Sequence, residues 1–296
     1  MKRNWRWMLT FVKIRVIGLS TLSGVTGFIL MSQAFSYRTV IFGTALFVLA
    51  SGSASLNQCQ EYRTDAHMER TRNRPIPAGI LTPRQGLTLA LGLIAAGLAA
   101  IITCFGPVPA GLGLMTVLLY NGGYTRLKRV TPFAAIPGAL IGALPPAIGA
   151  TAAGGPLSAS LITGLTGIFY LWQVPHFWLL AAMHANDYAR SGLPLVTDTF
   201  TLSQLGRIIF TWISATGCAG MMLPLFQPVH HPVSLVLLTA CGLWLLGHAL
   251  PLLKRNIVNI TNITGDSQRF KDAFIAINRF IPSIMVILVM DHCVLR

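Results

Sequence analysis

Charge is scarce in this chain. Asp, Glu, Lys and Arg make up 10% of its 296 residues and only eight are acidic, where a soluble domain carries about 25% charged residues. That scarcity, with a mean hydropathy of +0.64, excludes an ordinary water-soluble domain. The five cysteines stand singly at positions 59, 104, 218, 241 and 293. None forms a CxxC pair, so neither a structural zinc site nor a disulfide framework is expected. No low-complexity linker divides the chain, and it reads as one integral-membrane domain, 1–296. The net charge of +14 would suggest nucleic acid in a soluble protein; in so apolar a chain it does not.

What the sequence has instead is long apolar runs. Runs of roughly 17–25 residues can span a bilayer, and nine are found: about 16–33, 39–57, 84–104, 108–124, 134–153, 159–182, 205–224, 231–253 and 274–291. In lipid every backbone polar group must be satisfied internally, which makes these spans helices. The expected fold is all-α, a polytopic helical bundle of about nine transmembrane helices, with the many glycines allowing close helix packing. Placing the N-terminus in the cytoplasm puts 20 of the 22 Lys and Arg residues on the cytoplasmic side and leaves only Arg38 and Arg296 outside, as the positive-inside rule requires. The expected location is a bacterial inner membrane, N-terminus cytoplasmic and C-terminus periplasmic.

Within this background, three of the eight carboxylates (Glu61, Asp65 and Glu69) fall in one short stretch, NQCQEYRTDAHMERTRNRP, residues 57–75. Asn57, Glu61 and Asp65 are spaced i, i+4, i+8, so each step drifts only about 40° around a helix and all three share one face. One amide and two carboxylates are hard oxygen donors of the kind Mg²⁺ takes together with substrate phosphates. Arg70 and Arg74 lie close enough in sequence to contact such phosphates. A solvated interfacial helix end with acid–base pairs is the alternative reading of the same stretch. A second polar loop, YNGGYTRLKRVTP (120–132), brings Arg126, Lys128 and Arg129 to the same membrane face. A third stretch, LWQVPHFWLLAAMHANDYARSGLP (171–194), ends a span and delivers Asp187 there. Carboxylates and bases gathered at one surface suggest a site for a diphosphate whose lipid tail lies between helices. A solute transporter fits less well, because transporter sites lie near the bilayer midplane.

The residues N57xxxE61xxxD65xxM68xR70T71xxR74P75 resemble the first signature of the UbiA-type membrane prenyltransferase superfamily, usually NxxxDxxxD. MERTRNRPIPAG, YTRLKRVTP, GALPPAIG and WQVPHFW resemble the heme O synthase branch of that superfamily. The resemblance covers nearly the whole chain. It implies that farnesyl diphosphate and heme b are substrates and that the vinyl group of heme b becomes hydroxyethylfarnesyl. It further implies Mg²⁺ on Asn57, Glu61, Asp65 and Asp187, with diphosphate contacts from Arg70, Arg74, Arg126 and Lys128. Tyr124 and Trp172 offer π faces to an allylic cation, and His176, a histidine inside a span, is a candidate heme-binding residue. Membrane lipid is the surrounding partner, and a heme A synthase or terminal oxidase assembly the downstream one. Two departures stand out: Glu61 and Arg63 occupy positions where the branch usually has Asp. They keep open a non-catalytic heme-binding assembly protein, beside another prenyltransferase acting on a quinone precursor.

Overall fold

The computed structural model describes residues 6–185, 190–226, 229–254 and 263–294. Every regular element among them is helical: α1 (Arg6–Phe11), α2 (Ile14–Ser32), α3 (Tyr37–His67), α4 (Pro83–Phe105), α5 (Pro107–Val117), α6 (Thr125–Leu127), α7 (Ala135–Ala152), α8 (Ser160–Met183), α9 (Val196–Thr199), α10 (Leu202–Met221), α11 (Pro232–Ala249) and α12 (Ile263–Cys293). A π-helix, Leu118–Tyr124, joins α5 to α6. The chain is a multi-pass membrane protein. Among the described residues, six helical stretches are long and apolar enough to cross a bilayer: 14–32, 37–67, 83–105, 132–152, 232–253 and 268–293.

The nine spans expected from sequence are not reached by that measure, for identifiable reasons. The 108–124 stretch stops being α-helical at Val117 and continues as the π-helix. The 159–182 stretch is one 24-residue helix, but Gln173, Pro175 and His176 lower its apolarity. The 205–224 stretch is the 20-residue α10, whose first turns carry Gln204 and Arg207.

Two compact units contain the described residues. The first takes them from 1–130, 144–157 and 186–193, the second from 131–143, 158–185 and 194–296. In the first unit α2, α3 and α4 pack side by side around two apolar clusters. Phe28, Phe42, Leu46, Ile148 and Ala152 form one; Ala45, Leu49, Ile94, Ile101, Ala110 and Val117 form the other. Backbones approach closely where side chains are missing, as in membrane bundles generally. A Cβ at Gly149 would run into the carbonyl oxygen of Gly24, and one at Gly97 would lie 2.6 Å from Leu49 Cα. The outward face of α4 carries exposed Leu87, Leu89, Leu91 and Ile102, a surface suited to hydrocarbon rather than water. The start of α4 is set locally by a capping box, Thr82 with Gln85, and by Pro83 at its first position, a combination readable from sequence.

In the second unit α8, α10, α11 and α12 pack around Ile168, Ile209, Ile213, Leu245, Ile277 and Phe280. Gly220 on α10 faces the Phe280 ring. Asp291, near the C-terminal end of α12, is buried and accepts the backbone N–H groups of His230 (2.8 Å) and His231 (3.0 Å). Its role is to hold the chain entering α11.

Helix α3 is 31 residues long, about 46 Å at 1.5 Å per residue. The hydrocarbon layer is about 30 Å thick. The helix therefore outruns the apolar layer by some three turns, and its C-terminal end is where Asn57, Glu61 and Asp65 stand.

Candidate functional site

The three polar residues of α3 do share one face, and it is turned inward: Asn57, Glu61 and Asp65 are 1%, 6% and 4% exposed. Buried charge is costly unless paired, and each of the three has a basic partner. Lys13 Nζ donates to Asn57 Oδ1 at 2.9 Å. Lys128 Nζ pairs with Glu61 Oε1 at 2.5 Å. Arg74 Nη1 pairs with Asp65 Oδ2 at 2.6 Å. Three basic groups thus face two carboxylates and an amide, a set that suits a multiply charged anion.

These partners arrive by three routes. Arg74 comes from the turn following α3, which Thr71 fastens by donating its hydroxyl to the Asp65 carbonyl at 2.9 Å. Lys128 follows the π-helix. That helix is pinned to α3 through Asn121, which donates to Ser53 O at 3.0 Å and accepts from Ser53 Oγ at 2.7 Å. Single π-turns recur at functional sites because they re-aim side chains. Here the π-turn brings Thr125 to Asn57 Nδ2 at 3.0 Å, while the Thr125 hydroxyl donates back to Tyr120 O at 2.8 Å. Arg129 adds a bond to the Gln60 carbonyl at 2.8 Å.

Lys13 arrives by the third route, and sequence reasoning did not assign it to the site. It lies between α1 and α2 with φ 53°, ψ 47°, the left-handed region that non-glycine residues rarely occupy. The corner is held from α3. Gln58 Nε2 donates to Phe11 O at 2.7 Å and Thr10 O at 3.1 Å, and Ser55 Oγ donates to Phe11 O at 3.2 Å. Phe11 packs on Ile76 and Leu81. Burial pushes the Lys13 ammonium down to about 7, with Arg74 adding to the effect and Glu61 opposing it. Its other neighbour is the Tyr120 hydroxyl at 3.5 Å.

The remaining expected residues are placed as follows. Arg70 and Arg126 are exposed. Tyr124 lies under the Lys128 ammonium, 5.5 Å from the ring centroid, and 6.1 Å from the Tyr120 ring. Arg63, the second departure from the branch pattern, is exposed and donates to the Tyr62 hydroxyl at 3.0 Å. Asp187 lies outside the described residues. Arg190, three positions beyond it, pairs with Glu69 at 3.6 Å.

Trp172 and His176 lie on α8 in the second unit. Trp172 is buried and donates Nε1–H to Ile277 O at 3.0 Å. Its ring sits 4.9 Å from that of His176, and Phe274 flanks His176 at 5.2 Å. His176 Nδ1 lies 2.8 Å from Asn278 Oδ1, while Asn278 Nδ2 donates to Phe274 O at 2.6 Å. The amide nitrogen is committed to a carbonyl, so Oδ1 faces the imidazole and Nδ1 carries the hydrogen. Nε2 is left with its lone pair, the tautomer a metal ligand needs. Asn278 was not expected from sequence; no local pattern links it to a residue 102 positions earlier.

The donor set on α3 is three oxygen-bearing side chains on one face, which fits a hard divalent cation of the Mg²⁺ type. The family model described as UbiA prenyltransferase family matches residues 19–261. The protoheme IX farnesyltransferase of Geobacter sulfurreducens is 38% identical over 240 residues, covering 79% of this chain and 88% of the relative. That of Marinobacter nauticus is 31% identical over 302 residues, covering 98% and 94%. Among solved structures, digeranylgeranylglyceryl phosphate synthase superposes with a TM-score of 0.77 at 11% identity, covering 97% of this chain and 98% of that one. An Archaeoglobus fulgidus UbiA homologue bound to GPP and Mg²⁺ gives 0.65 at 12% identity, covering 95% and 99%. At such identities the structural likeness speaks for the fold alone.

Proposed function

The chain belongs to the UbiA prenyltransferase family, and on that premise we propose that it transfers the farnesyl group of farnesyl diphosphate to a vinyl group of heme b, with addition of water, giving heme O. The observation that carries the substrate assignment is the 38% identity to a protoheme IX farnesyltransferase over 88% of that relative's length. The inward polar face of α3 supports the chemistry.

Cleavage of the C1–O bond sends its electron pair to the diphosphate, whose growing negative charge must be met. Arg74 and Lys128, with Arg70 and Arg126 from the surface, are the groups proposed to meet it. Mg²⁺, when bound by the oxygens of Asn57, Glu61, Asp65 and Asp187, supplies Lewis-acid stabilisation of the leaving group. The Tyr124 ring, already facing one cation, suits a second role beside the allylic cation. The terminal vinyl carbon then bonds to farnesyl C1, and water adds to the resulting cation with loss of a proton. The lone pair on His176 Nε2 supports contact with the heme iron, and Trp172 and Phe274, with ring centroids 4.9 and 5.2 Å away, flank the imidazole.

Purified protein incubated with heme b, farnesyl diphosphate and Mg²⁺ should give a product with the mass of heme O. Farnesylation of a hydroxybenzoate or naphthoate in place of heme would move the assignment to the quinone-precursor branch. Binding of heme without turnover would favour an assembly protein. The product would serve a heme A synthase or terminal oxidase assembly.

The proposed setting is a bacterial inner membrane, with the α3 face and the polar loops cytoplasmic. This orientation rests on the distribution of basic residues: nine spans with the N-terminus inside would place 20 of the 22 on one side. Reporter fusions within 190–204 should report cytoplasm, and fusions after Arg296 periplasm. The reverse pattern would overturn both the orientation and the side from which diphosphate enters.

A further inference from the structure

Each of the three side chains that suit a metal is already held by a protein cation: Asn57 by Lys13, Glu61 by Lys128 and Asp65 by Arg74. A divalent ion that takes these oxygens at about 2.1 Å brings two positive charges into contact with three more. The basic groups must then move, and a displaced ammonium in an enclosed place needs another anion. We propose that Lys13 is a positioning residue that exchanges partners, leaving the Asn57 amide oxygen as the metal binds there and moving to the diphosphate. The inference rests on the metal–diphosphate reading of the site given above.

The geometry singles out Lys13 for this part. Its backbone is fixed, because Gln58 and Ser55 hold the carbonyls at the end of α1 and the left-handed corner follows directly. Its side chain is a flexible four-carbon arm ending in a point charge. The ammonium can therefore swing while its anchor stays. Arg74 and Lys128 are paired to full carboxylates, whereas Lys13 is held by a neutral amide oxygen and a tyrosine hydroxyl at 3.5 Å. It is the cation with the weakest present hold and the most to gain from a phosphate oxygen. The consequence is linkage. Metal alone competes with Lys13, while metal with diphosphate does not, so each ligand should tighten the other by the same factor.

The test uses the full chain in lipid nanodiscs, Mn²⁺ as the metal probe and inorganic pyrophosphate as the anion, with retained Mn²⁺ counted after ultrafiltration. In the wild type, pyrophosphate should raise Mn²⁺ affinity by roughly tenfold or more, within the usual range of coupling. Lys13→Gln and Lys13→Met should bind Mn²⁺ alone several-fold more tightly and lose most of the pyrophosphate enhancement. Lys13→Arg should follow the wild type. Neutral variants that keep both wild-type affinity and wild-type enhancement would overturn the exchange, as would a change in one without the other. A wild type that retains no Mn²⁺ even with pyrophosphate would remove the metal–diphosphate reading itself. A second measurement needs no variant. Acylation of the Lys13 amine, read by peptide mass spectrometry, should increase with Mn²⁺ alone and fall when pyrophosphate is added. Reactivity indifferent to both ligands would again overturn the proposal.

Discussion

Asp65→Ala is expected to cut farnesyl transfer by about 10²–10³-fold, the loss typical of removing one preorganised stabiliser of developing charge, while heme binding stays near the wild-type level. The carboxylate is buried, lies on the shared face of α3 and holds Arg74 at 2.6 Å. Truncation removes one metal donor and also leaves the guanidinium without its anchor. The turn that carries Arg74 should survive, because Thr71 bonds the backbone carbonyl of Asp65 and not its side chain. Heme contact is proposed through His176 on α8, which belongs to the second compact unit, while Asp65 belongs to the first. The measurement is heme O formation at saturating substrates, beside a heme absorbance titration of the same preparation. Near-normal turnover would take Asp65 out of the mechanism, and loss of heme binding together with turnover would mean that the variant fails as a fold.

Much of this site was legible in the sequence, because its first part is a helical spacing. The i, i+4, i+8 pattern placed Asn57, Glu61 and Asp65 on one face, and that holds in the structure. Periodicity could not reveal which cations close the face. Lys13 looked like one more basic residue ahead of the first span; its role depends on a left-handed corner and on contacts with residues 44 and 107 positions away. The π-helix was hidden for a related reason. The change of winding goes with Asn121 bonding to Ser53, 68 positions earlier. Asn278 escaped notice in the same way. The count of spans suffered from the opposite effect: α8 and α10 are long helices whose apolarity is broken by polar residues along them.

The second large effect is expected at Glu61, where the chain departs from the Asp usual in its branch. Glu61→Gln should lower turnover by about 10²-fold, whereas Glu61→Asp should stay within a few-fold of the wild type and shift mainly the Mg²⁺ requirement. Gln has the same length but no charge. It leaves the Lys128 ammonium without its partner in a mostly enclosed place, and breaking a buried pair from one side is strongly destabilising. Asp keeps the charge and shortens the arm by one methylene. Lys128 is about a quarter exposed and sits on a flexible stem, so it can follow the carboxylate inward. The wild type should be active, because the features around Glu61 are those of a working face: Asn57 and Asp65 are in register, each is held by a cation, and Arg63 is turned away to Tyr62. A chain released from catalysis would have no reason to keep two buried carboxylates and three bases together at the end of a membrane helix, where each unpaired charge costs stability. A Mg²⁺ titration of heme O formation by the wild type and both variants decides the matter. A silent wild type restored by Glu61→Asp would show that Glu61 marks a lost activity and would favour the non-catalytic assembly protein.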